Sequence, residues 1–138
     1  MQTEHIKHFD KWCTNKKEID KRDVDIERIM FQEKEIWWCA TGVNIGFEQD
    51  GKNSNFERPV LICKKFNKHI FLGVPLTSQD VDLSLPFYVK LFGAKVESIA
   101  ILSQIRLFDS KRLLRHIETI DESLFAKIKK ALKKVIGL

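Results

Sequence analysis

The 138-residue chain is long enough for one domain with one proper core, and its 43% hydrophobic and 31% charged residues describe a folded, soluble protein. No run approaches the roughly 18 apolar residues of a membrane span, and the opening MQTEHIKHFDKW has no apolar segment of the signal-peptide kind, so a cytoplasmic protein is expected. Net charge is +5 and uneven: residues 1–35 hold eight Lys or Arg against nine Asp or Glu, net −1, leaving +6 for residues 36–138. A basic body points to a polyanionic partner, nucleic acid first. Five of its lysines lie in the last helical segment, where they also solvate a face and suit the helix dipole.

Residues 4–17 place Ile6, Phe9, Trp12 and Cys13 on one helical face with charge opposite, which predicts a short amphipathic helix packed on the body. The charged connector KKEIDKRDVDIER follows and continues helically for a turn or more. No Pro-, Gly- or Ser-rich linker intervenes, so residues 1–33 read as an N-terminal helical extension and residues 34–138 as the main domain. From Lys34 the pattern changes to short β-like runs. EIWWCATG is the first; RPVLICKKF and HIFLGVPL follow, with only Asn67 and Lys68 between them, which predicts a tight hairpin. LPFYVKLFGAKVESIAILSQIRLF reads as two more strands turning at Phe92-Gly93-Ala94, and RLLRHIETI as a strand after an Asp109-Ser110 turn. Regularly spaced short strands predict a small barrel or sandwich. Thr119 and Glu122 have capping-box spacing, with Asp121 and Ser123 as competing caps, and Leu124, Phe125, Ile128, Leu132 and Val135 form the stripe of a helix that seals the barrel.

Conventional catalytic sets are missing. Cys13, Cys39 and Cys63 are odd in number with no CxxC, which argues against a disulfide framework or zinc site and marks each as a small buried hydrophobe. The four histidines are scattered; His5 and His8, at i, i+3, are read as a solvated helix face. No P-loop, HExxH or GxSxG occurs. An enzyme built on this sequence works without a metal, a cofactor or a covalent intermediate.

Polar residues at strand ends remain. Arg58 opens the strand RPVLI, and Thr77, with Ser78 and Gln79, ends the next. If those strands form a hairpin, Arg58 and Thr77 are neighbours at one rim, and the loop carrying Glu48 and Gln49 leads directly into Arg58. A guanidinium, a hydroxyl and a carboxylate thus converge. Trp37 and Trp38, adjacent in a strand, must face opposite sides; one is read as core, the other as supporting a dimer face or stacking on a base.

In order, EIWWCATGVNIGFEQDG, RPVLI, VPLTSQ and ILSQIR resemble the signatures of the MazF/PemK toxin family over roughly residues 34–136. The resemblance implies a mainly β, SH3-like small barrel with a C-terminal helix, in a homodimer, acting as a metal-independent endoribonuclease of a type II toxin–antitoxin pair. The implied substrate is single-stranded RNA, and the implied partner is a cognate antitoxin with an acidic tail. By motif the family's catalytic arginine falls on Arg58 and its threonine on Thr77. Glu48 and Gln49 occupy the loop beside the RNA groove, Ser78 follows the threonine, and Gln104 and Arg106 lie on the strand that lines the groove. Glu48 is a candidate base on a loop read as mobile. KNSNFE lengthens that loop relative to compact relatives. A non-catalytic SH3-like module binding RNA or peptide is the alternative; gyrase inhibition, found in a sister family on the same fold, is disfavoured by the EQDG…RP signature.

Overall fold

The computed structural model describes residues 6–92, 94–95 and 98–138. Helix α1 spans Phe9–Asp20, a few residues later than the periodicity suggests, and it docks through a narrower line. Trp12 is buried and Asn15 and Ile19 are half-buried, whereas Ile6, Phe9 and Cys13 of the expected stripe are exposed. The reason lies in what α1 packs on, which is a loop, a short 3₁₀ turn and the strand-end residues Ala40 and Leu114, not a broad sheet face. Only a thin i, i+3, i+7 line therefore reaches protein. After Asp20 the connector leaves helical geometry, with Arg28 and Lys34 at positive φ. It is tied down by Arg22, whose guanidinium donates to the carbonyls of Lys111 and Leu113 and pairs with Glu27.

Among the described residues seven strands follow: β1 (Glu35–Ala40), β2 (Glu57–Lys65), β3 (Ile70–Thr77), β4 (Tyr88–Lys90), β5 (Ile99–Ile101), β6 (Arg106–Asp109) and β7 (Leu113–Thr119). All pairings are antiparallel in the order β4-β5-β3-β2-β1-β7, with β6 also beside β3. The β2–β3 turn is the expected hairpin; the Asn67 side chain accepts from the N–H groups of His69 and Ile70 and replaces backbone partners there. Of the turn read at Phe92-Gly93-Ala94, Gly93 lies outside the described residues.

Two features of the barrel differ from expectation. The end strands β4 and β7 do not pair among the described residues, so the barrel is open, and helix α2 (Glu122–Val135) supplies Leu124, Phe125 and Ile128 to its main core. The stretch read as one strand before Asp109 is broken into β5 and β6 by a 3₁₀ turn at Leu102–Gln104. On β3 the break falls between Gly73, opposite Arg106, and Leu76, opposite Ala100. Pro75 lies in that gap, and it has no N–H to give to a neighbouring strand.

Among the described residues the core has three parts. Ile36, Leu61, Val74, Leu76 and Leu102 pack under α2. On the other face Cys39, Val60, Ile62, Phe71 and Phe108 pack together with Phe31, which the N-terminal segment contributes; its ring lies 5.2 Å from that of Phe71. A small third cluster of Trp12, Ala40, Val43 and Phe56 joins α1 to the body. Trp37 and Trp38 are both half-buried: Trp37 packs against the second cluster, and Trp38 lies under the Arg115 guanidinium at 4.9 Å. At the C-terminal helix Asp121 is the cap, accepting from Leu124 N at 2.8 Å, and Glu122 pairs with Lys34 at 2.7 Å in place of a capping box.

Candidate active site

The loop between β1 and β2 is built from its base upward. Gly42 donates to the Phe56 carbonyl (3.0 Å) and accepts from Gly51 N (2.8 Å), so the two limbs are joined at the neck. Beyond the neck lie two lobes. In the first, the Asp50 carboxylate accepts from Asn44 N (2.6 Å), and the Asn44 amide donates to the carbonyls of Thr41 and Gln49. The second, Lys52–Glu57, is a tight turn closed by reciprocal backbone bonds between its end residues, with Asn53 and Phe56 at positive φ. Gly51 permits this closure, since a Cβ there would fall 1.8 Å from the Phe56 carbonyl oxygen. The extra length contributed by KNSNFE is thus a second ordered turn.

Arg58 enters β2 directly from that loop, opposite Cys39 of β1. The β2–β3 ladder pairs Val60 with Pro75; continued by two steps, it sets Arg58 opposite Thr77 on the same face of the hairpin. The contacts agree. Arg58 Nε donates to the Asp50 carbonyl (2.7 Å), and Nη1 donates to the carbonyl of Leu76 (3.1 Å), the residue before Thr77. Arg58 and Thr77 are each only 6% exposed. The Thr77 hydroxyl accepts from Gln79 N at 3.2 Å, a turn that ends β3. Burial lowers the Arg58 pKa below the ordinary guanidinium value, and the nearby Asp50 charge opposes that shift.

Arg58 lines a cavity of about 980 Å³, together with Glu48, Gln49, Gln79 and one side of α1. The remaining candidates do not all share it. Gln104 clasps the first lobe from the far side: its Oε1 accepts from Gln49 N (3.3 Å) and its Nε2 donates to the Phe47 carbonyl (3.1 Å). Gln104 and Arg106 line a second cavity, of about 510 Å³, and Arg106 lies over the Phe108 ring at 4.7 Å. Glu48 and Gln49 border both cavities, so residues 44–50 stand between two basins where one groove was expected. Glu48 is exposed, and its carboxylate accepts from Ile45 N at 3.0 Å. Ser78 is exposed at the strand end and makes no side-chain hydrogen bond among the described residues. The loop read as mobile is held from both flanks. Gln104 binds one side and Lys7 the other; Lys7 Nζ donates to the carbonyls of Asn44 (2.6 Å) and Gly46 (3.0 Å) and lies 3.4 Å from the Asp50 carboxylate.

The sequence profile of PemK-like, MazF-like toxins of type II toxin–antitoxin systems matches residues 32–136. The chain belongs to that family. A comparison by sequence with curated proteins finds no match. Among solved structures, MazF from Deinococcus radiodurans is similar at TM-score 0.63 and 19% identity, over 78% of this chain and 97% of that one. An endoribonuclease in complex with its cognate antitoxin, from a mycobacterial species, is similar at TM-score 0.59 and 16% identity, over 79% of this chain and 97% of that one. These likenesses show the MazF-like fold. The family match begins after α1, so Lys7, Lys11 and Trp12 border the candidate site from outside the matched region.

Sequence reasoning missed two residues beside the site. Arg112, after β6, donates to the Ala40 carbonyl (2.9 Å) and lies over the Trp12 ring. Burial first, and the Arg106 charge second, lower its pKa. Thr41 is buried and lines the second cavity, and its hydroxyl makes no hydrogen bond among the described residues. Neither could be found from spacing, because Arg112 reaches the Ala40 carbonyl from 72 residues away and Thr41 meets Pro75 and the Gln104 turn only in the folded chain.

Among the described residues, no helix is long and apolar enough to cross a membrane. Among the described residues, no group of three or more His, Cys, Asp or Glu could hold a metal ion.

Proposed function

We propose that the chain is a toxin endoribonuclease that cleaves single-stranded RNA without metal or cofactor, as a homodimer neutralised by an antitoxin with an acidic tail. The observation that carries this reading is the Arg58 guanidinium, held by two backbone carbonyls where it lines the basin, with Thr77 opposite it on the neighbouring strand. In such a reaction the ribose 2′-oxygen loses its proton and attacks the adjacent phosphorus. The 5′-oxygen leaves with a proton, producing a 2′,3′-cyclic phosphate and a 5′-hydroxyl. The protein needs no nucleophile of its own. It must neutralise charge on the pentacoordinate phosphorus and help the leaving oxygen.

Arg58 suits both tasks. Nε and Nη1 are engaged by the protein, which fixes the plane of the fork. Nη2 makes no hydrogen bond among the described residues and is available to a phosphate oxygen. A preorganised donor of this kind lowers the barrier by about 3 kcal/mol. Desolvation lowers the guanidinium pKa, in the direction that favours proton donation to the 5′-oxygen. Thr77 positions a phosphate oxygen, Glu48 and Gln49 border the strand, and Gln104, Arg106 and Ser78 support its continuation.

The test is purified protein with a long single-stranded RNA in EDTA, alongside Arg58→Lys and Arg58→Ala, with folding monitored by circular dichroism. Cleavage that survives chelation and is lost in folded Arg58→Lys is expected. RNA left intact by the wild type, or cut equally by Arg58→Lys, overturns the assignment.

A further inference from the structure

The basin around Arg58 has two kinds of wall. Residues 43–58 of the family domain form one, and α1, which lies before the family match, forms the other. The charges on these walls are not equally occupied. Among the acidic groups Asp50 is engaged by Asn44 N and Lys7, Glu48 by Ile45 N, and Glu18 by Lys21 at 3.1 Å. Lys11 on α1 and Lys52 on the loop both line the basin, and neither side chain has a hydrogen bond or ion pair among the described residues. Phe47 also lines it, completely exposed after Gly46. Solvated apolar surface is normally scattered, whereas here an aromatic ring lines the same basin as two cations without ion pairs and Arg58.

We propose that α1 is a substrate-binding wall of this chain, on which Lys11 takes a phosphate of the RNA strand while Lys52 takes another from the loop wall and Phe47 stacks a base. The inference rests on the ribonuclease reading and adds a contact surface that the family domain alone lacks. Electrostatics favour an anion at Lys11 and Lys52, since neither has an ion pair among the described residues; of the basin carboxylates Asp50 and Glu18 are paired with lysines, and Glu48 has only the Ile45 N–H. Stacking on Phe47 favours unpaired bases, whose faces are open. Trp12 and Lys7 hold α1 against the loop, so both lysines are presented from fixed backbone.

The experiment measures binding of a non-cleavable 2′-O-methyl RNA oligonucleotide across a salt series, and steady-state cleavage of the corresponding RNA. Wild type is compared with Lys11→Ala, Lys52→Ala, Phe47→Ala and, as a matched loss of one charge, Lys130→Ala on α2. Each basin lysine variant is expected to flatten the log–log salt slope by about 0.7, as loss of one single-strand phosphate contact requires. KM should rise with kcat unchanged. Phe47→Ala should weaken binding about fivefold or more without changing the slope, and Lys130→Ala should match wild type. Unchanged affinity and slope in Lys11→Ala, or tighter binding and faster cleavage, overturns the proposal while leaving the ribonuclease reading intact if wild type cleaves and Arg58→Lys does not. A wild type that neither binds nor cleaves RNA overturns both.

Discussion

The Trp12 indole occupies the space that a side chain at residue 42 would need: a Cβ on Gly42 would lie 2.3 Å from the Trp12 ring. Gly42 also has φ +81°, where L-residues are strained. Two independent demands therefore meet at one glycine, and both serve the same joint between α1 and the neck of the active-site loop.

Gly42→Ala is expected to destabilise the protein by at least about 1–2 kcal/mol from the backbone alone, with a further loss as the indole is displaced. Trp12→Ala should cost about 3–5 kcal/mol, because a large buried ring is removed. In the double variant the displacement part of the Gly42 cost should vanish. Urea titration of all three proteins checks this; strictly additive losses would show that indole and glycine are not coupled.

Folded Arg58→Lys should lose cleavage by about a hundred- to a thousandfold, since an ammonium cannot hold two carbonyls and a phosphate oxygen in one plane. Single-turnover rates at saturating protein separate this from weaker binding. A loss confined to KM would reduce Arg58 to a binding residue.

Burial pushes the Cys39 thiol up to about 12, with the Arg112 and Arg106 charges acting against the shift. Burial, reinforced by the Glu33 charge, pushes Cys63 to about 12 as well. Cys13 is exposed, not the buried hydrophobe its apolar neighbours suggest. Iodoacetamide at neutral pH should therefore modify Cys13 in the folded protein, and Cys39 and Cys63 only on unfolding; peptide mass spectrometry decides it. Unfolded thiols ionise near 9.0, so unfolding above that pH releases protons that the native state retains. The thiol contribution to stability is complete below pH 9.0 and falls as pH rises towards 12, by about 1.4 kcal/mol per pH unit for each thiol. A stability that holds constant across that range would contradict the burial of both groups.

Glu57 is buried beside Arg58 and accepts from both Arg115 Nη atoms at 3.0 Å and from Asn53 at 3.1 Å. Arg115→Ala should cost about 1–3 kcal/mol, mainly by leaving that carboxylate short of donors. Glu57→Gln in the same background should recover part of the loss. Thermal melts of the single and double variants check the pair, and no recovery would place the cost elsewhere.

Much of the strand order and the whole C-terminal helix were readable in the sequence, because short-range rules govern them. The Asn67-Lys68 turn makes the β2–β3 hairpin readable and brings Arg58 to the end of β3; a one-residue register shift between Ile62 and Lys64, which no turn rule encodes, then sets it opposite Thr77 instead of Ser78. The α2 stripe follows from its 3.6-residue period. Where α1 docks was not readable, since Trp12 packs on a glycine thirty residues away and no periodicity encodes that contact. Likewise, the division of the expected groove depends on Gln104 bonding to the Phe47 and Gln49 backbone across the fold.

What the sequence determined by itself was the set of chemical groups and their local framework: a guanidinium at the start of one strand, a hydroxyl at the end of the next, and a turn short enough to bring them together. What the tertiary structure decided was the surroundings of those groups. The open barrel, the two basins and the helix that walls one of them depend on long-range burial, and long-range burial is set by shape complementarity between segments far apart in the chain.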